Sequence, residues 1–123
     1  MAKKILYFDM DNVLVNFQSG LDQLPEEILQ QYKGQLDNIP KVFSLMKPLD
    51  GGIEAFITLS NTYDSYILST APWENISAWS DKAAWVQAHL GDSARKRLIL
   101  SHNKNLNIGD YLIDDRTANG AGQ

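Results

Sequence analysis

The chain has no cysteine and only two histidines, His89 and His102, among its 123 residues. The absence of cysteine excludes a disulfide framework, a thiolate zinc site and a cysteine nucleophile, and two histidines argue against a histidine-rich metal site. Long hydrophobic runs are also absent, since the longest apolar runs, such as Ile5–Phe8, are far shorter than the roughly 18 residues that span a bilayer. The sequence therefore predicts neither a sulfur-based site nor a membrane span.

Basic residues are fewer than acidic residues in this chain. Fifteen Asp and Glu residues against eleven Lys and Arg residues give a formal net charge of −4, and the basic residues cluster only at 95–97. This balance argues against a nucleic-acid-binding surface. Residues 1–4 lead directly into a short apolar run and lack the longer apolar stretch of a secretory signal, so we expect a cytoplasmic location. The length and the 44% apolar content suit one domain with a single hydrophobic core.

Four short apolar runs predict strands, and the first two are typical of strands that are buried in a sheet. These runs are Ile5–Phe8, Tyr66–Leu68, Leu98–Leu100 and Tyr111–Ile113. Apolar spacing at 25–33 and 50–62 predicts helices, and Ser80 or Asp81 is the expected N-cap of a further helix that Gly91 stops. Helices that alternate with strands imply right-handed crossovers, so the sequence predicts an α/β fold with a doubly wound parallel sheet.

Polar side chains follow each apolar run at the point where the predicted strand ends. They are Asp9 and Asp11 after the first run, Ser69 and Thr70 after the second, Lys104 after the third, and Asp114 and Asp115 after the fourth. Ligands of such sheets bind beyond the carboxyl ends of the strands, so these groups are expected to converge. Close carboxylates repel unless a divalent cation joins them, and an all-oxygen ligand set favours Mg²⁺ over zinc.

Each of these motifs is weak alone, because an aspartate pair arises easily by chance in a chain with this many aspartates. The position of every motif directly after an apolar run, in the order acidic pair, hydroxyl, lysine, acidic pair, favours a functional site over solvated turn residues.

The segments at 9–13, 67–70 and 113–115 resemble the first, second and fourth motifs of the haloacid dehalogenase superfamily of phosphatases. Most of the chain is more closely similar to the 5'(3')-deoxyribonucleotidase family, and the most specific stretches are 9–17 and 112–116. The resemblance implies a Rossmann-like sheet with a small helical cap inserted at residues 17–46. Family members continue past Arg116 with another strand and helix, which are expected to be missing here.

The resemblance also assigns roles. Asp9 is the expected nucleophile, which forms an aspartyl-phosphate, and Asp11 the expected general acid and base. The expected Mg²⁺ ligands are Asp9, the backbone carbonyl of Asp11, Asp115, and Asp114 directly or through water. Thr70 and backbone amides near Met10 are expected to hold phosphate oxygens.

Two lysines, Lys104 and Lys82, match family positions that contact phosphate, and Lys104 is favoured. Phe17 matches a position that faces the nucleobase, while Val42 or Phe43 either completes this pocket or belongs to the core of the cap. The expected substrate is a nucleoside monophosphate, with no nucleic-acid or membrane partner. The last strand is expected to lie outside the first as an exposed edge, which predicts self-association or reduced stability.

Two alternatives remain open. One is a phosphatase of the same superfamily that acts on another small phosphorylated metabolite. The other is a non-catalytic phosphate-binding or receiver-like module. Receiver domains carry their phosphoacceptor aspartate after a middle strand near the centre of the chain, whereas Asp50 and Asp64 precede apolar runs here.

Overall fold

The computed structural model describes residues 3–103 and 106–114. Its strands are β1 (Ile5–Phe8), β2 (Val15–Asn16), β3 (Lys47–Pro48), β4 (Asp64–Ser69), β5 (Leu98–Leu100) and β6 (Tyr111–Ile113). Its α-helices are α1 (Phe17–Leu21), α2 (Glu26–Gln31), α3 (Gly52–Leu59) and α4 (Ile76–Leu90). Short 3₁₀ helices span Leu36–Asn38, Val42–Leu45 and Gly91–Ala94.

A parallel four-stranded sheet in the order β5-β4-β1-β6 forms the centre of the fold. This arrangement confirms the predicted α/β class and places β6 beside β1, on the side away from β4. β1, β5 and β6 have the predicted bounds, because each apolar run ends where polar residues begin. β1 is mostly buried, whereas β5 and β6 contain no fully buried residue. Strands β2 and β3 form a separate antiparallel pair.

Strand β4 starts two residues before its apolar run, at Asp64. Asp64, the polar first residue of β4, pairs with Ile5 of β1 and forms an ion pair with Arg97. The hydrogen bond to Asp64 raises the pKa of Arg97 above its ordinary value. Cross-strand contacts therefore extend this strand beyond the range that apolarity alone predicts.

The expected start of α4 at Ser80 or Asp81 is wrong, because the helix begins at Ile76. Asn75 precedes it without a side-chain cap bond, and its Nδ2 instead donates to the carbonyls of Asp37 and Ile39, each at 2.9 Å. The start of α4 is thus set by contacts with a distant segment. The end at Leu90 agrees with the expected stop at Gly91, whose φ is +55°.

Helix α3 is shorter at both ends than the predicted 50–62, and α2 is shorter than 25–33. The beginning of α3 lies against the loop that follows β1. A Cβ on Gly52 would lie 2.4 Å from the carbonyl oxygen of Val13, so only glycine fits this contact. The close approach fixes α3 against the loop that carries Asp11.

Residues 17–46 contain α1, α2 and two 3₁₀ helices, and β2 and β3 close the base of this segment. We call residues 17–46 the inserted segment. It packs on α4, where the indole Nε1 of Trp85 donates to the carbonyl of Met46 at 2.9 Å. Its role as a substrate cap stays a prediction.

The core lies on both faces of β1 and β4. Phe8 and Ile67 are fully buried, and the ring of Phe8 meets that of Phe56 from α3 edge to face at 5.1 Å between centroids. Tyr111 on β6 is half exposed, at the end of the described strand order. Self-association through this edge stays a prediction. Over the described ranges, no helix is both long and apolar enough to cross a membrane.

Candidate active site

Asp9 follows β1 directly and is almost fully buried at the carboxyl end of the sheet. Its backbone amide donates to the carbonyl of Ile113 on β6 at 2.8 Å. One carboxylate oxygen, Oδ1, accepts from the amide of Met10 at 2.8 Å. These two bonds fix both the backbone and the side chain of Asp9 at the strand end.

The chain reverses immediately after Asp9. The carbonyl of Met10 accepts from the amides of Val13, Leu14 and Val15 at 3.3, 2.9 and 3.0 Å, and Asn12 takes the left-handed conformation with φ +60°. Asparagine tolerates this conformation better than most residues. The tight turn keeps Asp11 at the same end of the sheet as Asp9, as predicted for a pair that works together.

Lys82 of α4 brings a positive charge to the Asp11 carboxylate. Its side chain is fully buried, and its ammonium Nζ lies 2.8 Å from Ser69 Oγ and 2.6 Å from the Thr70 carbonyl oxygen. The same Nζ lies 3.4 Å from Asp11 Oδ2, although the Asp11 side chain is 33% exposed. The loop after β1, the end of β4 and α4 therefore meet at one ammonium group.

The preferred lysine of the sequence analysis, Lys104, lies outside the described residues, as does Asp115. The alternative, Lys82, is at the site and not on a solvated helix face. The sequence contains a pattern that indicates a buried position for Lys82. Lys82 falls between Ala78 and Val86 in an i, i+4, i+8 stripe that is otherwise apolar and buried, and a lysine in such a stripe requires a polar partner.

The carboxylate oxygens at the strand ends are the type of ligand that a hard divalent cation prefers. Asp114 follows β6, and the register Phe8 to Ile113 makes Asp9 and Asp114 the next residues on neighbouring strands. Asp11 Oδ1 is buried without a hydrogen-bond partner among the described residues. Within the same ranges no three His, Cys, Asp or Glu side chains group closely enough to hold a metal. The donors present are the type that Mg²⁺ prefers.

Two phenylalanines of the inserted segment lie behind the lysine. The ring centroid of Phe43 is 4.5 Å from Lys82 Nζ, and Phe43 is 1% exposed. The ring of Phe17 meets Phe43 at 5.8 Å with an interplanar angle of 63°. Val42 is fully buried. Phe43 and Val42 therefore belong to the packed interior of the inserted segment in this conformation, whereas Phe17 is only partly buried.

An aromatic cluster joins the segments that follow β4 and β5 to helix α4. The imidazole of His102 is 5.8 Å from the Trp73 ring and 5.5 Å from the Trp79 ring, measured between centroids. Trp73 is 80% exposed. His102 thus contacts two tryptophan rings.

Comparisons with known proteins agree with this architecture. The family model described as "5' nucleotidase, deoxy (Pyrimidine), cytosolic type C protein" matches residues 18–122. A protein of Vibrio phage KVP40 named "Putative 5'(3')-deoxyribonucleotidase" is 58% identical over 121 residues, which cover 98% of this chain and 71% of the phage protein.

Two further relatives are more distant. The human cytosolic-type 5'(3')-deoxyribonucleotidase is 28% identical over 146 residues, covering 94% of this chain and 73% of that protein. A Bordetella bronchiseptica protein with the same name as the phage relative is 42% identical over 72 residues, or 58% of this chain and 39% of that protein.

The fold and these matches define an enzyme of the phosphatase class, with the haloacid dehalogenase type of sheet. More narrowly, the chain belongs to the 5' nucleotidase, deoxy (pyrimidine), cytosolic type C family.

Proposed function

We propose that this protein is a Mg²⁺-dependent phosphatase that hydrolyses deoxyribonucleoside monophosphates through an aspartyl-phosphate on Asp9. The observation that carries the proposal is the buried Lys82 ammonium, which contacts Asp11, Ser69 and Thr70 at the strand end beside Asp9. A desolvated cation beside carboxylates suits a phosphate dianion that must approach a carboxylate nucleophile. The names of the relatives support the nucleotide substrate.

In the first step, an oxygen of the Asp9 carboxylate attacks phosphorus. The bond between phosphorus and the leaving oxygen of the sugar breaks, and Asp11 gives its proton to that oxygen. The products are the nucleoside and a phosphoryl group on Asp9. The bond from the Met10 amide to Asp9 Oδ1 supports this role by holding the carboxylate in one orientation.

In the second step, a water molecule attacks the phosphorus of the aspartyl-phosphate. Asp11 takes a proton from this water, the bond between phosphorus and Asp9 breaks, and inorganic phosphate leaves. Asp11 thereby returns to its starting protonation state. One residue serves both steps because the leaving oxygen and the attacking water occupy the same side of phosphorus.

Lys82, Thr70 and backbone amides near Met10 bind the non-reacting phosphate oxygens. Lys104 is a further candidate for this role. Asp9, the backbone carbonyl of Asp11, Asp115 and Asp114, the last directly or through water, would hold Mg²⁺. The bound ion would neutralise charge on the nucleophile and the transferring group.

Substrate selection is assigned to the inserted segment. Phe17 is partly buried and lies at the start of α1, directly after the short strand that follows the Asp11 turn. An aromatic face there suits a nucleobase. This part of the proposal makes residues 17–46 a cap over the phosphate site.

The test compares Asp9→Asn with Asp92→Asn, an exposed aspartate of the 3₁₀ helix after α4. Phosphate release from dUMP, dTMP and a hexose phosphate is measured with and without Mg²⁺. We expect wild type and Asp92→Asn to hydrolyse the nucleotides only with Mg²⁺, and Asp9→Asn to be inactive although folded, because an amide keeps the shape and loses the nucleophile. Turnover by purified Asp9→Asn protein would exclude the assignment.

A further inference from the structure

Phe43 brings the inserted segment into contact with the ammonium of Lys82. The charge lies 4.5 Å from the ring centroid, within the range of cation–π attraction. Both side chains are buried, so water does not weaken the attraction. The negative potential of the ring face replaces part of the hydration that Lys82 loses on burial.

The position of Phe43 is fixed on both sides by hydrogen bonds from α4, the helix that carries Lys82, and from Asn75, the residue before this helix. Asn75 Nδ2 donates to the carbonyl of Ile39, and Trp85 Nε1 donates to the carbonyl of Met46, each at 2.9 Å. Phe43 lies between these two anchor points in the sequence. These two hydrogen bonds therefore hold the Phe43 ring against Lys82 of α4.

A direct contact of Phe43 with a nucleobase does not fit this geometry. The ring is 1% exposed, and Lys82 and Phe17 both pack against it. A base would have to displace the inserted segment to reach it. The accessible ring in this region is that of Phe17.

We propose that Phe43 is a positioning residue that holds the Lys82 ammonium against Ser69 and Thr70, in place to receive a phosphate group. This inference rests on the proposed phosphate-binding role of Lys82. It predicts that losing the ring weakens every phosphate ligand equally, whatever is attached to the phosphate.

The experiment uses Phe43→Leu and a protein with a fluorinated phenylalanine at position 43, whose ring keeps its shape but has a less negative face. The matched control is Phe56→Leu, which removes an equally buried ring that packs on Phe8. Thermal melts quantify the stability of each protein. Affinity for inorganic phosphate and kcat and KM for dUMP and ribose 5-phosphate are then measured.

We expect Phe43→Leu to lower phosphate affinity and kcat/KM by about tenfold, a loss typical of a desolvated cation–π contact. The loss is the same factor for dUMP and for ribose 5-phosphate. The fluorinated ring gives a smaller loss that grows with the number of fluorines. Phe56→Leu lowers the melting temperature but leaves phosphate affinity unchanged.

Carbon-13 NMR of the lysine side chains gives a readout that does not depend on activity. The Cε protons of Lys82 are expected to show a ring-current shift that disappears in Phe43→Leu and persists in Phe56→Leu. The Lys82→Met protein identifies this resonance by its absence.

Three results would overturn the inference. The first is a loss of kcat/KM in Phe43→Leu that is confined to dUMP, which would make Phe43 a base contact. The second is an equal loss of phosphate affinity in Phe43→Leu and Phe56→Leu. The third is a phosphate affinity that does not change when the ring at position 43 is fluorinated. Failure of the proposed function is distinguishable. If wild type binds inorganic phosphate in a Phe43-dependent manner but hydrolyses no nucleotide, the positioning role stands and the catalytic proposal falls.

Discussion

The strand ends and the α4 side of the site hold their functional groups by different means. Asp9 is fixed by bonds within a few residues and by its sheet neighbour Ile113. Lys82 is fixed by groups far away in sequence, on the loop after β1, the end of β4 and the inserted segment. Asp9, the proposed nucleophile, is therefore placed by the turn after β1 and by its bond to β6. Lys82, the proposed phosphate-binding cation, is placed by contacts with three other parts of the domain.

The largest loss of activity is expected for a substitution of Asp11, on the strand-end side of the site, and it tests whether Asp11 takes part in catalysis or only supports the structure. Asp11→Asn removes the proton donor and acceptor, so kcat for dUMP should fall by roughly 10²- to 10⁴-fold. Steady-state kinetics on dUMP and on an aryl phosphate measure this. The deficit should be larger for dUMP, since its leaving oxygen needs the proton more. Wild-type turnover of dUMP by Asp11→Asn would reduce Asp11 to a structural residue.

The next effect tests the α4 side. Lys82→Met should lower kcat/KM for all phosphate esters by roughly 10²- to 10³-fold, as for loss of a charged oxyanion donor. Lys33→Met, at an exposed lysine of the inserted segment, serves as the control for loss of charge. Lys104→Met is measured beside it. A much larger loss for Lys104→Met than for Lys82→Met would restore the order of preference that the sequence favours.

The strand ends were predictable because the information is local. An apolar run followed by aspartates specifies a strand and the point where it ends, so β1 with Asp9 after it and β6 with Asp114 after it were located correctly in the sequence. The start of α4 was not predicted correctly, because the Asn75 side chain donates to the carbonyls of Asp37 and Ile39 and does not cap the helix. Lys82 was ranked second because the resemblance favours Lys104, and the partners of Lys82 come together only in the fold.

A smaller effect tests the inserted segment. Phe17→Ala should cost nucleotide substrates about 1 to 3 kcal/mol in transition-state binding, the scale of base stacking on an aromatic ring. Ribose 5-phosphate, which has no base, should be unaffected. The ratio of kcat/KM for dUMP to that for ribose 5-phosphate reports the difference. Equal losses for both substrates would mean that Phe17 only packs the segment.

The smallest effect concerns how α3 supports the turn that carries Asp11. Gly52→Ala forces a Cβ to within 2.4 Å of the Val13 carbonyl oxygen, so the backbone must shift, at a cost of about 2 kcal/mol of unfolding free energy. Gly51→Ala meets no atom within 4 Å and is strained only by its φ of +81°, about 1 kcal/mol. Urea unfolding compares the two. Equal losses of unfolding free energy in the two variants would show that the backbone relieves the contact with Val13 at little cost.

The proposed aspartyl-phosphate on Asp9 can be trapped directly. Wild-type protein is mixed with dUMP and Mg²⁺, quenched in acid within one turnover, and digested for mass spectrometry. The account predicts one phosphoryl group on the peptide that contains Asp9, absent from Asp9→Asn protein. Phosphate release without any phosphorylated peptide, or phosphorylation at a residue other than Asp9, would contradict it.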